Sequence, residues 1–477
     1  MNFASYTYVA FLAIVFILYW SLPQRARKPF LVVASYVFYG SWSWRFAFLL
    51  LAVSLFSWAY GLWLERVEGA GRWLALGIGI ELLPLVFFKY TNFLLQNAGA
   101  VATGLGWDWQ VHLLQLTLPL GVSFFTFQGI AYLVDVAAGE KPFRRVGDFL
   151  LFKGFWPQLI AGPIIRPHEI REQIAEPRAI DYQDVSEGTR RILRGLVKKV
   201  VLADTVGAIV DPVFVSGARP GMVDALVGIM GFGMQIYWDF SAYSEIAIGS
   251  ARLFGYRFPE NFDWPYTARS PQEFWNRWHM TLSRWIRDYV FTPLTFAARR
   301  RPATGPLWVM VAMALCGLWH GAAWTFVLWG LWHGLMLVLN QTVLKGLFGG
   351  LEPGKPARGG PRGVVALLVT LVGVNAGWLL FRAQDLRQVV TMLEAIVTLR
   401  GRFRPALLRE NDVLIVAIFY VGLLLAPWMR SIMHQADQAL SARPRVRSLV
   451  AAAWFTLVIT AVVIFDREAR AFVYFQF

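Results

Sequence analysis

The chain has 477 residues, of which 57% are hydrophobic and only 16% charged, proportions outside those of soluble domains. Its net charge of +15 sits in short Lys/Arg clusters between apolar runs, the pattern of cytoplasmic loops and not of a nucleic-acid-binding surface. A single cysteine, Cys316, excludes an intramolecular disulfide and any multi-cysteine metal site.

Apolar runs of membrane-spanning length recur along the chain, continuous where a β-barrel would show short alternating segments. The expected fold is therefore an all-α polytopic membrane protein. Residues 5–22 form the first span. The first charged residue, Arg25, comes after that run, so the run lacks the basic start of a cleaved signal peptide and reads as retained. The basic stretch Gln24–Lys28 reads as a cytoplasmic loop, which places the N-terminus on the periplasmic side. Two short spans divided near Gly40–Trp44 follow within 30–63, and another covers 73–90. Residues 98–112 are Gly-rich and read as a loop or short non-spanning segment. The run 113–137 reads as a span whose start is broken by Pro119 and Gly121.

Residues 146–167 are apolar but interrupted by Pro157, Gly162, Pro163 and Arg166. Such a backbone at membrane depth must be buried in protein or line a wet cavity, so a re-entrant element beside the site is expected. The charged tract 168–199 reads as a cytoplasmic connection with an amphipathic helix, followed by spans at 200–214 and 222–252. In 271–290, Trp275, Trp278, His279, Leu282, Trp285, Ile286 and Tyr289 recur at helical steps, with Arg277, Arg284, Arg287 and Asp288 elsewhere. That is the pattern of one helix lying in the interface plane. The cluster Arg299–Arg301 precedes spans at 304–320 and 322–344. After a Gly/Pro-rich linker at 349–363, spans at 364–381, 411–429 and 447–465 bring the total to about eleven. No tandem repeat or soluble segment divides the chain, so 1–477 reads as one membrane-embedded domain with its core motifs at 118–345.

The stretch Cys316–Gly334 contains the pentapeptide Gly-Leu-Trp-His-Gly twice, ending at Gly321 and at Gly334. Glycines one helical turn apart let helices approach closely, and an ionisable group at membrane depth is costly enough to mark a functional site. His320 and His333 are 13 residues apart, which puts them on nearly opposite faces of a straight helix. His320 suits a general base, because imidazole can take a proton from a hydroxyl at neutral pH. A histidine bonded across helices for packing is the plainer alternative, and His333 reads that way. His279 sits near a membrane boundary, where a histidine is cheap. His168 and His434 lie in polar tracts and read as solvent-facing, and His112 carries no signal. No histidines pair at metal-site spacing and no carboxylate flanks His320, so no metal site is expected. Asp239 and Glu245 could bind substrate, orient a histidine, or pair with an arginine, the commonest fate of a buried carboxylate. No nucleophile elbow or phosphate-binding loop appears.

These residues fall in segments that together resemble the membrane-bound O-acyltransferase family, in its branch that acetylates exported polysaccharides such as alginate. The segments are Leu118–Gln128, Trp156–Arg166, Tyr237–Ser244, Asn261–Tyr266, Phe274–Tyr289 and Gly317–Trp324, in that order, with the aromatic end Phe472–Phe477 in keeping. The likeness spans roughly 1–345 and is weakest over 346–470. On this resemblance, the family's histidine in a Leu-Trp-His-Gly setting corresponds to His320, and its second, in a Trp-His-Met-Thr-Leu-Ser setting, to His279. The resemblance implies a helical bundle around a central tunnel, with both histidines near its constriction and donor and acceptor arriving from opposite sides. It implies a bacterial inner-membrane enzyme with no tightly bound cofactor. Acetyl would come from a cytoplasmic thioester, acetyl-CoA or another, and end on an exported polysaccharide through periplasmic acetyltransferase partner proteins. Arg166, Asp239, Trp275, Arg277, Trp319 and Trp324 are further candidates for lining the site and binding substrate. Teichoic acid, with a carrier-protein donor, and peptidoglycan are the alternative acceptors. A transporter without catalysis is the alternative class, and the lack of paired repeats weighs against it.

Overall fold

The computed structural model describes residues 1–176, 178–297, 304–344, 361–401, 404–441, 443–465 and 470–473. The Arg299–Arg301 cluster, the linker through residue 360, residues 474–477 and the side chain of His434 lie outside the described residues. Every regular element among the described residues is a helix.

Helix α1 (Tyr6–Ser21) opens where the Ser5 hydroxyl caps the Tyr8 N–H. Helices α2 (Gln24–Gly40) and α3 (Trp44–Leu64) part where the Gly40–Trp44 break predicts. The basic residues 24–28, expected as a loop, instead form the first turn of α2. Pro23 ends the connection in the extended conformation that starts a helix. Helix α4 (Ala70–Gly104) is longer than expected, running on through most of the segment read as a loop. Pro84 removes one helical N–H, and a π turn at Val86–Tyr90 follows it without breaking the helix.

Helix α5 (Val122–Ala137) begins at Gly121, whose φ of 73° and close approach to the Leu159 carbonyl leave no room for a side chain. Helices α6 (Val146–Gly154) and α7 (Trp156–Leu159) lead into an extended turn and α8 (Pro167–Ala175). Residues 151–165 are buried throughout, so this interrupted backbone is enclosed by protein, as its unpaired groups require.

Helix α9 starts at Tyr182 and continues through a π turn, Val197–Ala203, to Val210. The expected cytoplasmic helix and the expected span at 200–214 are thus one helix. It packs along α10 (Met222–Leu253), a long and mostly buried helix. The aromatic stretch 271–290 is not one interfacial helix. It breaks into α11 (Pro271–Arg277) and α12 (Met280–Ile286) at His279, whose φ is 41°. Tertiary bonds cause the break: the Asn261 carbonyl accepts from Met280 N–H, and the Arg277 carbonyl accepts from Asp263 N–H. The aromatic face of both halves is buried in protein, not laid on lipid.

A π turn, Arg287–Phe291, and a short helical stretch, Thr292–Ala297, continue α12, and helices α13 (Gly305–His320), α14 (Trp324–Leu344), α15 (Pro361–Arg382), α16 (Leu386–Val397), α17 (Glu410–Ser441) and α18 (Pro444–Phe465) follow. The apolar runs of the sequence predict no element at α16. Among the described residues five helices are long and apolar enough to cross a membrane: α3, α4, α14, α15 and Ser448–Phe465 within α18. Helices α1, α5 and α13 are apolar but shorter.

Among the described residues, Lys153–Glu81 and Lys199–Asp239 are ion pairs with both side chains buried. Lys153 Nζ lies 3.1 Å from Glu81 Oε2 and donates to Ser57 Oγ at 2.6 Å, and Ser57 also donates to Glu81. Lys199 Nζ bridges Asp239 and Asp204, each at 2.8 Å. The second carboxylate oxygen of Asp239 accepts from Val473 N–H, pinning the C-terminal segment onto α10.

Candidate active site

The repeated pentapeptide builds an antiparallel hairpin. A Cβ on Gly317 would strike the Phe326 carbonyl of α14, and one on Gly330 would strike the Met313 carbonyl of α13. Contact at this range is what small residues at one-turn spacing allow. The helix ends at Gly321, in extended conformation, so His320 and His333 do not share the straight helix assumed from spacing. The hairpin brings both onto the same indole: Trp329 lies 5.0 Å from the His320 ring and 4.9 Å from the His333 ring, centroid to centroid.

His320 is the last residue of α13, where backbone carbonyls have no helical partner. Three consecutive carbonyls there are satisfied from the π turn of α4. Lys89 Nζ donates to the carbonyls of Trp319 and His320 at 2.7 and 2.8 Å, and Tyr90 OH donates to that of Leu318 at 2.9 Å. A cation at a helix C-terminus is also favoured by the helix dipole. The His320 ring is enclosed by Trp319, Trp329 and Phe381, with centroids 4.8, 5.0 and 5.2 Å away.

His279 is fully buried, and burial, not a cheap boundary position, is its setting. Its Nδ1 lies 3.0 Å from Asn261 Oδ1. That oxygen also accepts from Thr281 N–H at 3.2 Å and from the Thr281 hydroxyl at 2.9 Å. Ile164 N–H, in the turn after α7, donates to Thr281 Oγ1 at 3.0 Å. The interrupted segment 146–167 therefore buttresses His279 through a chain of three hydrogen bonds, by way of Thr281 and Asn261. The Nε2 of His279 has no hydrogen-bond partner among the described residues.

Trp319 joins the two histidines. Its ring lies 6.3 Å from that of His279 and 4.8 Å from that of His320, and it stacks on Phe127 at 5.1 Å. Of the other sequence candidates, Trp275 packs on His333 and Trp329, at 5.3 and 5.8 Å. Arg166 is held by Asp288 and Glu169, at 2.7 and 3.3 Å. Arg277 bonds Glu273 and Thr267. Asp239 is occupied by Lys199 and the C-terminal segment. Trp324 is half exposed and turns to α4, its Nε1 donating to Asn97 at 2.9 Å. His333 has no hydrogen bond at either nitrogen among the described residues, and His168 and His112 are exposed. Spacing alone did not single out Lys89, Asn261, Trp329 or Phe381. Lys89 had a signal, being an isolated cation in an apolar run, whereas Phe381 lies in the region of weakest resemblance.

Beside this cluster is a cavity of about 420 Å³ lined by Trp275, Met280, Ser283, Arg284, Met313 and Cys316 among others. Cys316 is one helical turn before His320, and Met280 follows His279, so the cavity ends against both histidine-bearing elements. Apolar walls with arginines and hydroxyls among them suit a polar, chain-like organic ligand.

Buried imidazoles in an aromatic enclosure thus lie next to a cavity within a helical membrane protein. Comparison with known proteins names its class. The MBOAT, membrane-bound O-acyltransferase family model matches residues 146–347. The "Probable alginate O-acetylase AlgI" of Pseudomonas putida is 38% identical over 410 residues, 83% of this chain and 80% of that protein. The protein of the same name from Pseudomonas aeruginosa is 36% identical over 408 residues, 83% and 75%. The "Peptidoglycan O-acetyltransferase" of Helicobacter pylori is 32% identical over 429 residues, 82% and 79%. The chain belongs to the membrane-bound O-acyltransferase family. It is a multi-pass membrane O-acyltransferase.

Proposed function

We propose that the chain is a bacterial inner-membrane acetyltransferase. It takes acetyl from a cytoplasmic thioester, acetyl-CoA or another, and serves O-acetylation of an exported polysaccharide such as alginate through periplasmic partner proteins. The observation that carries this is the placement of Trp319 against both His279 and His320, buried, in a member of an O-acyltransferase family. In this reading about eleven segments span the bilayer around a central tunnel, with the N-terminus on the periplasmic side.

In this reading the donor enters through the cavity lined by Arg284. His320 removes the proton of the acceptor hydroxyl as its oxygen attacks the thioester carbonyl. The new C–O bond forms, the C–S bond breaks, and the imidazolium returns its proton to the departing thiolate. His279 assists by positioning or proton transfer. The aromatic enclosure fixes both reactants and keeps out water, which would otherwise hydrolyse the thioester. Transfer to peptidoglycan is a second reading, supported by the likeness to the Helicobacter pylori protein over most of both chains.

The test supplies radiolabelled acetyl-CoA to inside-out and right-side-out membrane vesicles carrying the chain and its native envelope acceptor. Label is expected in the acceptor only when donor reaches the cytoplasmic face. Equal labelling from either face refutes the direction, and no labelling from either refutes acetyl-CoA as donor.

A further inference from the structure

Asn261 belongs to a loop segment between α10 and α11, is 1% exposed, and bonds through both ends of its side-chain amide and through its backbone carbonyl. Its amide Nδ2 donates to Ser244 Oγ on α10 at 3.1 Å, its backbone carbonyl accepts from Met280 N–H at 2.9 Å, and its Oδ1 meets three groups: His279 Nδ1, Thr281 N and Thr281 Oγ1. One of these, the backbone N–H of Thr281, is an obligatory donor. The atom facing it must then be the carbonyl oxygen, since a flipped amide would set two donors against each other. A carbonyl oxygen only accepts, so His279 Nδ1 carries a hydrogen and donates to it. In neutral imidazole the other nitrogen is then the lone-pair nitrogen. That nitrogen, Nε2, is buried and lacks a hydrogen-bond partner among the described residues.

We infer that Asn261 is a positioning residue that holds His279 as the Nδ1–H tautomer and presents its Nε2 lone pair to the reacting groups beside Trp319. This rests on the reading of His279 as part of the reaction centre. The His279 backbone, at φ 41°, is a conformation that non-glycine residues rarely adopt. It is maintained by the same loop: Asn261 O takes the Met280 N–H, so one residue sets both the backbone turn and the ring orientation. A partner on the distal nitrogen is how proteins choose an imidazole tautomer, and its removal typically costs about 10–100-fold in activity.

The groups that could otherwise set the protonation of His279 are committed or distant. His320 faces it across Trp319. On α10, Asp239 is bonded to Lys199, and Glu245 is paired with Lys198, Arg191 and Arg194. Among the described residues no carboxylate hydrogen-bonds the His279 ring.

The experiment measures acetyl-CoA-dependent acetylation of native acceptor in membrane vesicles, across pH, for wild type, Asn261→Leu, Asn261→Asp and His279→Ala at matched abundance. Asn261→Leu keeps the branched shape and removes the acceptor. It is expected to lower kcat about 10–100-fold with the donor KM unchanged. Asn261→Asp keeps an acceptor and adds a negative charge that favours protonated imidazole. It is expected to recover most of the activity while moving the acidic limb of the pH–rate profile up by about one unit. Wild-type kcat in Asn261→Leu, or an Asp variant as impaired as the Leu variant with an unmoved profile, overturns the inference. If the Leu variant does not accumulate, the profile of the Asp variant decides alone. His279→Ala separates the two layers: full activity there refutes the reading of His279 itself, whatever Asn261 does.

Discussion

The Lys89 ammonium donates to the backbone carbonyl of His320 at 2.8 Å, across 231 positions of sequence. It holds the Trp319 carbonyl as well, so one side chain of α4 fixes the end of the helix that carries both the proposed base and the indole bridging the two histidines. Leaving buried carbonyls unsatisfied costs roughly 1–3 kcal/mol each. Lys89→Met is expected to lower the thermal stability of detergent-extracted protein and to cut acyl transfer at least tenfold. A misplaced reacting group is as damaging as a missing one. Lys89→Arg retains the charge and donors and is expected to fall between the two. Wild-type turnover in Lys89→Met would show that α13 holds His320 without this cap.

The hairpin makes a sharper packing prediction. Gly317 and Gly330 face backbone carbonyls of the opposite helix, which cannot move aside as a side-chain tip can. Alanine at either is expected to destabilise by about 1–3 kcal/mol. Gly79, in α4, meets nothing within 4 Å. Gly79→Ala is expected to be neutral or stabilising by up to about 1 kcal/mol, through helix propensity. Melting curves in detergent of the three single variants check the contrast.

The enclosed Lys153–Glu81 pair tests whether a buried charge pair here is structural. Removing one partner strands the other, at a cost of about 3–5 kcal/mol. Glu81→Gln and Lys153→Met are each expected to reduce membrane abundance strongly. The double variant Glu81→Gln with Lys153→Met is expected to recover much of it. Additive losses in the double variant would mean that each residue has a separate role.

The sequence made the class of protein, its membrane setting and the two-histidine core readable, because long apolar runs, one-turn glycine spacing and an ordered series of motifs are local signals. What it concealed came from contacts between distant segments. The break at His279 is invisible to periodicity, since 271–290 has an unbroken helical pattern; only the loop around Asn261, capturing the Met280 N–H, interrupts it. The basic residues 24–28 read as a loop on charge alone, although no residue between Gln24 and Lys28 opposes a helix. His320 and His333 were set on opposite faces because spacing assumes a straight helix. Gly321 ends that helix and folds the two rings onto Trp329. Arg166, Asp239 and Trp324 stood out as polar or aromatic groups in matched motifs, and the structure gives each a partner away from the imidazoles.

The most direct test of the account is the ester acetate content of the host's exported polysaccharide, comparing wild type with His320→Ala at equal membrane abundance. Loss of the proposed general base is expected to slow transfer by about 10²–10⁴-fold. The account therefore predicts that polymer is still secreted and its ester acetate is lost. Unchanged acetate with His320→Ala would contradict it, and loss of secretion with acetylation intact would point to a transport role instead.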